Sequence, residues 1–178
     1  GVSDDLAAKV ERGELDAALV SDPPHSLPKA LVLHPIVDEP LVFIAHKTLK
    51  MTQPRKVLSE EPFIWLSRGS WTGRLIDQML GQHGIQVQDV MELDMPELIA
   101  EMVARGFGVS TIPVYDGKWL KDPRLKIWRF DKPRIKRGVS LLQRRAHPRT
   151  VITMALLQCL LDVATNNRRA TIPGAIEI

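Results

Sequence analysis

The residues best suited to chemistry stand in one short stretch: Ser67, Arg68, Gly69, Ser70, Trp71 and Thr72. It offers hydroxyls, a guanidinium, an aromatic plate and, where a helix opens after it, backbone N–H groups. That mixture suits a small carboxylate or another anion held at a helix start. A second helix start, at Ser3, Asp4 and Asp5, also carries a hydroxyl. Each residue has a plainer reading as well: Ser70 caps its helix, Trp71 packs on the surface and Arg68 is solvated. Taken as a set beside the end of an apolar run, they form the candidate binding site.

Other chemistry finds less support. His25, His34, His46, His83 and His147 are scattered and Cys159 is the single cysteine, so no metal-ligand spacing arises and no cofactor is expected. Cys159 lies among leucines and is expected to be a buried free thiol. There is no nucleophile elbow and no glycine-rich lysine loop to cradle phosphate. The GFG at 106–108 follows a helical pattern, the reverse of the order a dinucleotide loop needs. Asp16, Asp38 and Glu39 are the acids that an enzyme reading would use, and no motif recommends one. The acid-free run from 132 to 149 holds Lys132, Arg134, Lys136, Arg137, Arg144, Arg145 and Arg149. It reads either as an anion or nucleic-acid patch or as the flank of a strand. The apolar interruption at 139–142 and the absence of interleaved aromatics favour the flank.

The elements that must position these residues follow from periodicity. The chain has 178 residues, 44% hydrophobic and 25% charged, with a net charge of +3, the balance of a globular protein. No apolar run approaches the ~18 residues of a membrane span. A first helix, capped by Ser3, buries Leu6 and Val10 and stops at Gly13. Strands are expected at 15–20, 41–46, 62–66, 89–94, 109–112, 125–130 and 139–143. Shorter extended pieces at 30–33 and 36–37 break at Pro35. Between them come a helix capped near Ser70 and ended by Gly84, with Leu75, Ile76, Met79 and Leu80 buried, and a helix ended by Gly106. For the latter, Asp94 and Glu97 suggest a capping box, Pro96 a first turn, and Leu98, Met102 and Val103 a buried stripe. A helix over 150–163 carries Val151, Ala155, Leu156, Cys159 and Leu160 on one side, and 166–178 reads as a flexible tail. Alternating β and α implies a mostly parallel sheet flanked by helices.

Four segments together carry a resemblance: VERGELDAALV at 10–20, VDEPLVFIAHKTL at 37–49, EPFIWLSRGSWTGRLIDQMLGQHGI at 61–85 and ELIAEMVARGFGVSTIP at 97–113. In this order they resemble the effector-binding (substrate-binding) domain of a LysR-type transcriptional regulator, over residues 1–165. The resemblance implies an α/β, two-lobed type 2 periplasmic-binding-protein-like fold, each lobe a mixed sheet flanked by helices, with the first strand and helix of lobe one missing. A gap or an unprotected edge in the lobe-one sheet, open to filling by another chain, is then expected. Lobe one would comprise 1–43 plus 142–165, lobe two 44–141, and 166–178 a C-terminal tail. It further implies a small-molecule effector, an anion if Arg68 and the basic run are a guide, bound between the lobes. Ser3 would lie in lobe one, Ser67, Ser70, Trp71 and Thr72 in the lobe-two ligand loop, and Phe107 and Val109 near the loop closing the pocket. It implies no enzymatic activity, a cytoplasmic homo-oligomer (dimer or tetramer), no membrane, and operator DNA bound only through a helix-turn-helix absent from this chain. The alternative is a solute-binding protein of the same fold.

Overall fold

The computed structural model describes residues 2–50, 53–115, 118–130, 135–146, 148–167 and 176–177. Packing divides the chain into two compact units, Gly1–Glu39 with Arg137–Ala170, and Pro40–Lys136 with Thr171–Ile178. Among the described residues no helix is long and apolar enough to cross a membrane.

The first unit is built on helix α1 (Ser3–Arg12), strand β1 (Ala17–Ser21), the first half of β2 (Leu31–His46), β7 (Lys136–Arg144) and α5 (Thr150–Asn167). Strand β7 lies between β1 and β2 and runs antiparallel to β1, with Leu19 opposite Leu141. Among the described residues β1 has no second strand partner and forms the edge of the sheet. Gly13, at φ 80°, ends α1 in a left-handed turn, its N–H donating to Val10 O. Ile36, Leu141 and Leu157 form a core between the sheet and α5.

Helix α5 is oriented differently from expectation. Thr153 and Leu157 face inward, while Val151, Ile152, Leu156 and Cys159 are exposed. The thiol is therefore not buried. The helix is apolar nearly all round, so periodicity alone does not fix which side packs. On the inward side the Thr153 hydroxyl donates to Gln143 Oε1 on β7, beside the packing of Leu157 on Ile36 and Leu141.

The described arginines of the basic run serve this unit. Arg137 pairs with buried Glu39, its Nε donating to Oε2 at 2.8 Å; burial pushes the Glu39 carboxyl up, against the pull of Arg137. Arg144 Nη1 donates to the carbonyls of Val10 and Leu15, bracketing the α1–β1 turn. Arg145 Nε donates to Lys29 O, and Arg149 Nη1 to Asp16 at 2.8 Å. Lys132 and Arg134 lie outside the described residues. The run is thus largely a set of internal ties rather than a patch displayed to an anion.

In the second unit, the far half of β2 pairs antiparallel with both β5 (Ser110–Pro113) and β6 (Leu125–Arg129). Strand β2 runs unbroken through Pro35, where the sequence suggested a break, and through Pro40. Proline's fixed φ fits an extended chain, and the Pro40 carbonyl still accepts Val114 N–H at 2.8 Å. β3 (Pro62–Leu66) pairs parallel with β4 (Gln88–Leu93) and, through Phe63, with Val109. Parallel pairing is mostly confined to this region, and the mostly parallel sheet expected from β/α alternation gives way to a mixed one. Helices α2 (Pro54–Glu60), α3 (Trp71–Gln82) and α4 (Pro96–Ala104) complete the unit with a 3-10 turn, Lys118–Lys121. Phe43, Phe63, Ile64, Ile99, Val103 and Ile112 are fully buried within one core. The sequence's tail falls mostly outside the described residues: α5 extends to Asn167, and β8 (Ile176–Glu177) pairs parallel with β6.

α4 also departs from expectation. Its cap position is Met95, with no side-chain cap, and Glu97 instead accepts from the Tyr115 hydroxyl. Ile99, Ala100, Val103 and Ala104 are its buried residues, and Leu98 is exposed. Its end is as read. Gly106, at φ 81°, donates to Val103 O while Phe107 N–H reaches back to Met102 O, a Schellman ending. Gly108, at φ 155°, brings the chain onto β3 so closely that a Cβ there would lie 2.2 Å from Pro62 O. Gly108→Ala should therefore destabilise the protein by about 2 kcal/mol or more, through both clash and backbone strain, as measured by urea unfolding.

Candidate functional site

Strand β3 ends at Leu66, and the chain turns through residues 67–70 into α3. The turn is fixed at its entry, where Ser67 N–H donates to Leu93 O on β4 at 2.8 Å. It closes on itself, Ser70 N–H donating to Ser67 O at 2.8 Å. Ser70 is the cap of α3, its hydroxyl oxygen accepting from Gly73 N–H at 2.9 Å. Arg74 Nη2 returns to Gly69 O at 2.9 Å. Gly73 allows the helix to sit this low on the turn. A Cβ at that position would lie 2.2 Å from Ser67 O and 2.7 Å from Leu66 O.

Trp71 and Thr72 open the helix and are both buried, so the indole is a packed side chain rather than a surface plate. Ser67 and Ser70 remain partly exposed. Arg68 is exposed but engaged. Its guanidinium stacks 4.4 Å from the Trp65 ring centroid, Nη1 donates to Asp89 Oδ2, and Nη2 stands 3.9 Å from Asp77. Its backbone N–H donates to Glu92 Oε1 at 2.9 Å. Asp89 accepts a second bond from Trp65 Nε1 at 2.7 Å.

The structure thus brings Ser67, Ser70, Trp71 and Thr72 together at the β3–α3 junction. Val109 is buried on the other side of β3, its N–H donating to Pro62 O at 2.8 Å and its carbonyl accepting from Ile64 N–H at 2.9 Å. Ser110 adds a bond from its hydroxyl to Ile64 O at 2.6 Å. Phe107 is exposed in the turn after α4. Ser3 belongs to the first unit and is the first helical residue of α1 rather than its cap, which is Val2. Its hydroxyl oxygen accepts from Ser21 N–H at 3.1 Å, tying the start of α1 to the end of β1.

Sequence reasoning missed Trp65, Gly73, Asp89 and Glu92. The signal for Gly73 was present, since a glycine in the first turn of a helix costs stability unless something must come close. For Asp89 and Glu92 the only hint was two acids on one short strand. Among the described residues no group of His, Cys, Asp and Glu could hold a metal ion.

Residues 1–165 match the model of the LysR substrate binding domain. The chain belongs to that family. This LysR substrate-binding domain is 26% identical over 169 residues to the HTH-type transcriptional regulator YfeR of Shigella flexneri, covering 93% of the chain and 53% of the relative. The chain spans about half the length of that curated relative. Among solved structures, the domain is similar to the regulatory domain of Synechocystis PCC6803 CcmR in complex with 2-PG, with TM-score 0.74 and 26% identity over 93% of this chain and 81% of that one. It also shares its fold with the effector-binding domain of QuiR in complex with shikimate, with TM-score 0.74 and 17% identity over 93% and 79% of the two chains. The two-lobed, periplasmic-binding-protein-like architecture inferred from sequence is the fold of these neighbours.

The cap bond gives the site a direct test. Ser70→Ala should cost the LysR domain about 1 kcal/mol by removing the α3 cap, read as a lower urea midpoint with unchanged m-value.

Proposed function

We propose that this chain is the ligand-sensing domain of a LysR-type transcriptional regulator and binds a small polar effector at the β3–α3 junction. The carrying observation is the family match over residues 1–165 together with the hydroxyl-bearing turn at 67–72, braced on β3 and β4. Ser67, Ser70 and Thr72 would contact the effector, Trp71 would wall the site from beneath, and Phe107 and Val109 would border it. The two compact units correspond, in this reading, to the two lobes.

The effector would be read by hydroxyls and main-chain groups. Arg68 and the described arginines of the basic run already have carboxylate or carbonyl partners, which removes the main reason for expecting a dedicated anion receptor. The domain would bind without turnover, consistent with relatives that are transcriptional regulators. It would act in the cytoplasm within a homo-oligomer, a dimer or tetramer, with operator binding assigned to a helix-turn-helix outside residues 1–178. Effector binding would shift the regulator between conformations by its differential affinity for them.

Thermal shift across hydroxy acids, amino acids and phosphorylated acids, with shikimate and 2-phosphoglycolate included, tests the proposal. A true effector at about a hundredfold over its Kd should stabilise the domain by about 2.7 kcal/mol, a shift of several degrees. The double variant Ser70→Ala, Thr72→Val should weaken that effector's binding by up to a few kcal/mol in titration calorimetry, because its polar atoms lose their partners. An unchanged Kd would remove the 67–72 turn from the site.

A further inference from the structure

Arg68 looks from its sequence position like the cation that would meet an anionic ligand. We propose instead that Arg68 is a positioning residue, an outward tether that with Trp65, Asp89 and Glu92 fixes the turn carrying Ser67 and Ser70. This inference rests on the effector-site reading above for its functional consequence, but the tether itself does not.

The geometry points to it from several directions. The guanidinium lies on the Trp65 ring at 4.4 Å, and Trp65, almost wholly buried, is itself fixed by its indole N–H on Asp89 at 2.7 Å. Asp89 therefore holds both the plate and the cation stacked upon it, one carboxylate oxygen for each. Glu92, three residues further along β4, takes the Arg68 backbone N–H at 2.9 Å. Side chain and main chain of one residue are thus both anchored to the same strand. Each half-exposed contact alone would be weak. Converging on one residue of a four-residue turn, they restrict the turn locally, because each contact formed lowers the entropy cost of the next. The consequence for ligand choice is that the charge of Arg68 is directed to Asp89 and Asp77, leaving the turn to recognise its ligand by hydroxyls and amides.

Asp89→Asn separates the tether from an anion receptor. Asparagine retains an oxygen for Trp65 Nε1 but no longer neutralises Arg68. Glu92→Ala removes the anchor of the Arg68 amide. Hydrogen exchange followed by mass spectrometry on peptides spanning 67–73 should quicken about tenfold in each variant. Exchange in α4 and the thermal midpoint should hold steady. Unchanged exchange over 67–73 in both variants would overturn the tether. Titration of Asp89→Asn with 2-phosphoglycolate supplies the second arm. Binding tighter than wild type with exchange over 67–73 unchanged would identify Arg68 as an anion receptor for which Asp89 merely competes and refute the proposal, whereas a tether gives equal or weaker binding together with faster exchange. If neither protein binds 2-phosphoglycolate or shikimate, the result counts against those ligands, and the exchange measurement still decides the tether.

Discussion

Strand β3 is the part of the second unit on which the polar turn depends, and it is held by two close main-chain approaches. Gly108 packs against the carbonyl of Pro62 at its start, and Gly73 against the carbonyls of Leu66 and Ser67 at its end. No side chain larger than hydrogen fits at either place without movement of backbone. Between these points β3 pairs with β4 on one side and Val109 on the other, and its Phe63 and Ile64 side chains are fully buried. A strand fixed at both ends and on both edges gives the following turn a stationary base. Preorganisation of this kind lowers the entropy a ligand must overcome on binding.

Electrostatics in this protein works mainly inward. Arg137, Arg144, Arg145 and Arg149 bind acids or carbonyls of their own unit, and Arg124 joins Asp122 to Glu101 across α4 and the start of β6, holding the Asp122 and Glu101 carboxyls below their ordinary range. These pairs are mostly partly exposed and contribute modestly one by one. Their effect is to fix the ends of elements, where hydrogen bonding within the helix or strand runs out. Arg68 fits the same habit.

Much of this was legible in the sequence wherever a local rule decided the outcome. The strand at 62–66, the Ser70 cap, the α3 core of Ile76, Met79 and Leu80, and the glycine stops at 13 and 106 each depend on neighbours within a few residues. The family resemblance rested on the order of such local segments. What was not legible depends on distant partners. Asp89 lies 21 residues from Arg68, and Ser21 lies 18 from Ser3, so neither hydrogen bond has a local signature. The buried side of α5 was misread because both its faces are apolar, and Leu98 because the α4 stripe is centred on Ile99, Ala100 and Val103.

The same division between local and distant determinants bears on ligand choice. The frame that carries the turn is set by glycines, strand pairing and a core of apolar side chains, none of which specifies a ligand. Under the proposed reading, ligand choice would then fall to the few residues at 67–72. In this chain the one cation among them is stacked on Trp65 and directed at Asp89, so under the proposed reading hydroxyls and main-chain groups of the turn would meet the effector. Hydroxyls both donate and accept, so under that reading the turn would meet either a carboxylate or a sugar-like hydroxyl. Discrimination must then come from how rigidly those hydroxyls are held, because only a fixed donor penalises a ligand that lacks the matching atom. The tether behind the turn, rather than a charge in front of it, is accordingly where selectivity in this domain would be built.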